Sequence, residues 1–175
     1  MPKANGTLKA REFLFACEDR AMAQLPSSVP QPERKVMWTI LQLHYGDPFV
    51  HFEIQPQVSR GQVELGLHFE GVLDKNEEWA QRIANLAAPI AGTLGPAWEL
   101  EEWTASWRRL HRVFHFDRLT SVLASEVAEQ YALLIGTLHP VVREGLEVIG
   151  QSKPHQPAPS TGAGGRRWQR QRARR

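Results

Sequence analysis

Residues 50–70 constrain the fold more than any other stretch of the chain. Val50, Phe52 and Ile54 alternate with His51, Glu53 and Gln55. After Ser59-Arg60-Gly61-Gln62 the rhythm returns, with Val63, Leu65, Leu67 and Phe69 alternating with Glu64, Gly66, His68 and Glu70. Successive side chains on a strand point to opposite faces. A period of two over both halves therefore predicts a strand pair with one apolar and one polar face. Gly61 is free to take the positive φ of a tight connection. Pairing Phe52 with Phe69 then sets His51 against Glu70 and Glu53 against His68.

Two flanking stretches each admit two readings. Residues 33–45 suit a helix, with Pro32 at its first position and Gly46 just past its end. They also suit a strand, because a turn at Gly46-Asp47 would set Leu43 against Val50, Leu41 against Phe52 and Thr39 against Ile54 on one apolar face. Residues 98–116 place Leu100, Trp103, Trp107, Leu110 and Phe114 at helical spacing. A hairpin about Ala105 instead sets Glu102 against Arg108, Glu101 against Arg109 and Leu100 against Leu110, matching opposite charges and apolar groups. The strand and the hairpin are the preferred readings.

Helices are expected on either side. Residues 7–25 carry Leu14, Cys17, Ala21 and Leu25 on one stripe, with Thr7 as a cap and Pro26, Pro30 and Pro32 ending the segment. Residues 74–94 begin with Asp74 and Glu77 at capping-box spacing and line up Trp79, Ile83, Leu86, Ile90 and Leu94, with a kink at Pro89. Residues 120–138 start at Thr120 and form an apolar stripe that includes Val127, Tyr131 and Leu138. Pro140 interrupts this pattern, and residues 141–149 add a last segment. The expected fold is α+β: a five-stranded, mostly antiparallel sheet in the order α-βββ-α-ββ-α, packed by helices, over residues 1–150.

Charge divides the chain at residue 150. The first part carries fourteen Lys and Arg against nineteen Asp and Glu, whereas residues 151–175 carry seven basic residues and no acid. Residues 151–165 hold little to bury and read as a disordered Pro/Gly linker. The Arg-rich tail that follows carries Arg166, Arg167, Trp168, Arg170, Arg172, Arg174 and Arg175, a composition suited to phosphate contacts and base stacking or to an acidic protein surface. The mildly acidic body argues against a general nucleic-acid platform there. The single Cys17 fits a reducing, cytoplasmic compartment. No apolar run reaches the roughly 20 residues of a membrane span, and the opening residues lack the apolar core of a secretory signal.

Candidate chemistry is sparse. No GxGxxG, GxxxxGK[ST] or GxSxG pattern occurs, so an enzyme is the less favoured reading and no cofactor is implied. The polar face of the central pair gathers His51, Glu53, His68 and Glu70, a set that suits a divalent metal or acid–base work. Its plain alternative is a solvated face of complementary pairs. His111 and His115 lack the glutamate of a zincin motif and read as ordinary histidines, and Cys17 reads as a buried thiol. Trp98 belongs to the same aromatic set as Trp38, Trp103 and Trp107. Of these, Trp38, Trp103 and Trp107, together with Ile40, point away from the main apolar face. A helix of the same chain, residues 7–25, would cover them, or else a protein partner or second copy would.

The meander over residues 36–69, the helix over 74–94, the hairpin over 98–116 and the helix over 120–138 together resemble the type III secretion chaperone-like fold. That resemblance is one of topology, covers most of residues 1–150 and carries no residue roles. It implies a small cytoplasmic dimer that binds other proteins, although the Arg-rich tail and the many tryptophans depart from the pattern. The favoured expectation is a non-enzymatic, chaperone-like adaptor with its tail as an electrostatic attachment. A nucleic-acid-associated protein acting through the tail and a metal-dependent enzyme at the His/Glu face are the alternatives.

Overall fold

The computed structural model describes residues 6–150, so the expected linker and Arg-rich tail lie outside the described residues. The central alternation forms β3 (Val50–Gln57) and β4 (Gln62–Phe69), preceded by β1 (Glu33–Met37) and β2 (Ile40–His44) and followed by β5 (Glu99–Glu102) and β6 (Arg108–His115). All neighbours are antiparallel, in the order β1-β2-β3-β4-β6-β5. The fold is α+β as expected, with six strands rather than five. Residues 33–45 are not one strand but a hairpin, because the chain reverses at Trp38 and Thr39 between the paired Met37 and Ile40. Trp38 takes φ 53° there, a conformation that costs a non-glycine residue on the order of 1 kcal/mol. Neither residue advertises a turn, which is why the reversal is hard to read from sequence.

Among the described residues four α-helices accompany the sheet: α1 (Ala10–Met22), α2 (Leu73–Asn85), α3 (Ala87–Leu94) and α4 (Ser121–Ile149). The stripe of α1 is buried through Phe13, Leu14, Cys17 and Ala21. Its start is held by Glu12, whose Oε2 accepts from Lys9 N at 3.0 Å, while Thr7 bridges to Thr120 instead of capping. The expected 74–94 helix divides at Leu86 into α2 and α3, and no side chain caps α2. Thr120 does cap α4, its Oγ1 accepting from Leu123 N at 3.2 Å. That helix runs unbroken through Pro140. The missing N–H and ring clash cost about 3 kcal/mol, but buried Leu138 and Val142 on either side each return roughly 1.5–3 kcal/mol.

One apolar core joins α1, α2, α3 and α4 to the sheet face carrying Leu41, Leu43, Phe52, Ile54, Leu65 and Leu67. Trp79 of α2 stacks on Phe69 at 5.6 Å between ring centres. It reaches that place because α4 has a glycine there: a Cβ at Gly145 would lie 2.3 Å from the indole. Tyr131 of α4 donates its hydroxyl to the Phe52 carbonyl at 2.9 Å. Helix α1 therefore covers the main apolar face, not the opposite one assigned to it from the tryptophan pattern. No helix among the described residues is long and apolar enough to cross a membrane.

Candidate metal centre

The sheet face opposite the helices carries the even positions of β4 and the odd positions of β3. Ladder pairs set His51 against His68, Glu53 against Gly66 and Gln55 against Glu64. The register differs by two residues from the expected one, because each connection is longer than a tight turn. A 3-10 turn, Val58–Arg60, followed by Gly61 at φ 61°, joins β3 to β4. Between β2 and β3 the ladder closes at His44 and His51, leaving residues 45–49 to make the reversal. A shift of two preserves the face of every side chain, so the four expected residues still converge.

Convergence is tight. One donor atom from each of His51, Glu53, His68 and Glu70 lies within 4.8 Å of the other three. His51 Nε2 is 3.3 Å from Glu53 Oε2 and 3.9 Å from Glu70 Oε1, and His68 Nδ1 is 3.3 Å from the same Glu70 oxygen. Four donors about 2.1 Å from a shared ion in a tetrahedron sit about 3.4 Å apart. Gly66 keeps the middle of this face open, since a Cβ there would stand 2.8 Å from the Leu110 carbonyl and 3.2 Å from the His68 ring.

The second nitrogen of each imidazole is already committed. His51 Nδ1 is 2.9 Å from the Pro48 carbonyl, which can only accept, so Nδ1 carries a proton, while Nε2 faces the Glu53 carboxylate. His68 Nε2 is 3.0 Å from Glu64 Oε1, and that carboxylate is held in turn by Arg109 at 2.7 Å. Gln42 Nε2 donates to Glu53 Oε2 at 2.9 Å and lies 3.0 Å from His51 Nε2. Metal-bound histidines are oriented in this way, with the distal N–H given to a carbonyl or carboxylate.

The charges of the site are coupled: Glu64 and Glu70 flank His68, and the Arg109 guanidinium is shared between Glu64 and Glu101. Burial would push the His68 imidazole down, but hydrogen bonds to Glu64 and Glu70 and the charges of Glu53 and Glu64 bring it up to about 9. Burial likewise pushes Glu53 up, and is outweighed by hydrogen bonds from His51 and Gln42 and by the charge of His68, so the carboxyl lies below its usual range. Glu64 is also held low against burial, by its hydrogen bond to His68 and by the charges of His68 and Arg109. Glu53 and Glu64 are thus held ionised about the His68 imidazole.

Around the centre, Trp103 sets its ring 5.2 Å from that of His68 and lies under the Arg109 guanidinium at 4.8 Å. Trp107 contacts Trp103 at 5.6 Å. These two tryptophans, both in the β5–β6 connection, are brought to the polar face, whereas Trp38 sits apart in the β1–β2 turn and Ile40 is half-buried at the start of β2. His111 is buried on β6, its Nε2 3.1 Å from Glu101 Oε1 but out of line for a hydrogen bond. His115 is exposed at the strand end. Cys17 is fully buried, and burial, partly offset by Arg20, pushes its thiol up to about 12. Gln42, Glu64 and Arg109 were not singled out from the sequence, although the alternation that groups the quartet also puts Glu64 on its face. Comparison of the chain with protein families, with curated proteins and with solved structures finds no match.

Proposed function

We propose that this protein binds a divalent transition metal of the zinc class through His51, Glu53, His68 and Glu70. The observation that carries the reading is the pair of committed imidazoles: Pro48 and Glu64 take the distal N–H groups, and His51 Nε2 and His68 Nδ1 face the two carboxylates. Two nitrogens and two oxygens suit zinc and its neighbours better than magnesium or calcium, which take sets of oxygens. Three of the four ligands are at most 3% exposed, and the Glu70 side chain, at 16%, offers the one wet approach. Four protein ligands without an open position describe a holding site rather than a catalytic one.

Elemental analysis of the full chain purified without chelator tests this. The expected result is one zinc-class ion per chain, removed by chelator and restored on titration. His68→Gln and Glu53→Gln should each weaken zinc binding by at least about 100-fold, and Gln42→Ala by roughly 10-fold. Failure of the folded wild-type chain to retain or take up zinc, cobalt or nickel overturns the reading.

A second reading keeps the protein-binding adaptor, favoured by Trp38. That side chain is 89% exposed at the tip of a turn, a large apolar group held out into water. Light scattering across a concentration series should show self-association that Trp38→Ser abolishes. A monomer unaffected by the substitution removes the self-association form of this reading.

A further inference from the structure

Beside the metal centre, the same polar face opens into a cleft of about 700 Å³ between the β3–β4 turn and Trp103, within the roughly 300–1,000 Å³ of small-molecule sites. Its lining is amide-rich. Gln62 Nε2 donates to Gln57 Oε1 at 2.9 Å, and Gln57 Nε2 donates to Gln55 Oε1 at 3.1 Å. The chain of amides ends on Glu64, whose two oxygens differ. Oε1 accepts from His68 and Arg109, whereas Oε2 meets, among the described residues, Gln57 Nε2 at a long 3.4 Å. That oxygen has room for a stronger donor. The indole of Trp103, 37% exposed, forms one wall. Arg60 stands at the mouth and pairs with no carboxylate among the described residues; its Nη1 is 3.5 Å from Gln57 Oε1.

We propose that this cleft binds a polyhydroxylated ligand of sugar size, held by Gln55, Gln57, Gln62 and Glu64 against the Trp103 ring. Each hydroxyl of such a ligand both donates and accepts, as does each primary amide. Glu64 supplies the charged acceptor that a hydroxyl satisfies strongly. The C–H face of a sugar ring packs on an indole, a rigid side chain that loses little entropy on binding. Of the two arginines that line the cleft, Arg109 is already paired with Glu64 and Glu101, which leaves Arg60, too little charge for a phosphate-rich ligand, and the amide-rich lining does not suit a lipid. The inference goes beyond the metal reading and does not require it. The Glu64 carboxylate lines the cleft and also holds the distal nitrogen of His68, so cleft and metal centre share one supporting group.

Saturation-transfer NMR followed by calorimetry on the full chain tests the proposal, with glucose, N-acetylglucosamine, maltose and glucuronate as probes and glycerol as the control. At least one saccharide is expected to bind with a Kd of about 1 mM or tighter, in both zinc-loaded and chelator-treated protein. Gln57→Ala and Trp103→Ala should each weaken that binding by about tenfold, one decade of Kd, with unchanged circular dichroism. If Trp103→Ala fails to fold, Gln62→Ala takes its place, being distant from the metal ligands. Silence from every saccharide, binding no tighter than that of glycerol, or binding unmoved by the glutamine substitutions overturns the proposal. Because the chelator-treated sample is included, loss of metal binding and loss of cleft binding are read separately.

Discussion

The two faces of the sheet are buried by different means. On the helix side, Phe52, Ile54, Leu65 and Leu67 are removed from water by α1 and α4, and the gain is the non-directional one of apolar burial. On the other side no helix among the described residues lies over the strands, yet His51, Glu53, Glu64 and His68 are all at most 3% exposed. Those groups are covered by one another and by the Gln42, Trp103 and Arg109 side chains. An apolar face that loses one partner is left with a cavity that closes only in part, at a cost set by the area and volume lost. On a polar face each buried charge left unpaired instead bears its full desolvation cost.

The sharpest way to break that contrast is His68→Ala. In metal-free protein it leaves Glu64 and Glu70 without the imidazolium between them, and stability should fall by about 3–5 kcal/mol, measured by denaturant titration. A loss below about 1 kcal/mol, the scale of an ordinary exposed pair, would mean that the polar face is wetter than its geometry indicates.

Raising pH probes the same group without mutation. The folded imidazole holds its proton up to about 9, above its ordinary 6.5. Its contribution is therefore complete below pH 6.5 and is lost as pH climbs through 9, on the order of 3 kcal/mol in metal-free protein. Under the proposed metal reading zinc would replace the proton, and the ion-loaded protein should then lose far less over that window. Parallel melts of the two forms at pH 6 and 9.5 check this, and superimposable pH profiles would count against metal and proton sharing one place.

On the apolar side the largest single constraint is steric. A methyl group at Gly145 would enter the Trp79 ring, and the indole cannot retreat because it is stacked on Phe69. Gly145→Ala should cost about 1–3 kcal/mol by overpacking. Zinc affinity per folded molecule should stay unchanged, since α4 and the metal centre lie on opposite faces. A change in affinity would show that the faces communicate.

These two faces were not equally legible in the sequence. Alternation assigned His51, Glu53, His68 and Glu70 to one side, and that assignment survived a register error because both turns were misjudged by two residues. The longer β2–β3 connection had a consequence that alternation could not reveal: it brings the Pro48 carbonyl to His51 Nδ1. The 98–116 hairpin was legible to the residue, with Glu102 opposite Arg108 and Glu101 opposite Arg109, since charge pairing across strands is specific. The Trp38-Thr39 reversal was not, because its backbone is imposed by the ladders on either side rather than by turn-forming residues. The roles of Gln42 and Arg109 depend on distances between side chains of neighbouring strands, which no single-strand pattern encodes.

The smallest effect is also the one that joins the faces. Tyr131 reaches from α4 to the carbonyl of Phe52, in the strand whose next residue is Glu53, a proposed metal ligand. Burial pushes this phenol well above its ordinary range, so it remains a donor at any pH at which the protein folds. Tyr131→Phe removes one buried hydrogen bond and should cost about 1 kcal/mol. If the strand backbone is held by its ladders alone, zinc affinity will not move. A loss of affinity by the roughly tenfold typical of groups that orient metal ligands would instead show that the helix layer helps aim Glu53, making the apolar core part of the metal centre's support.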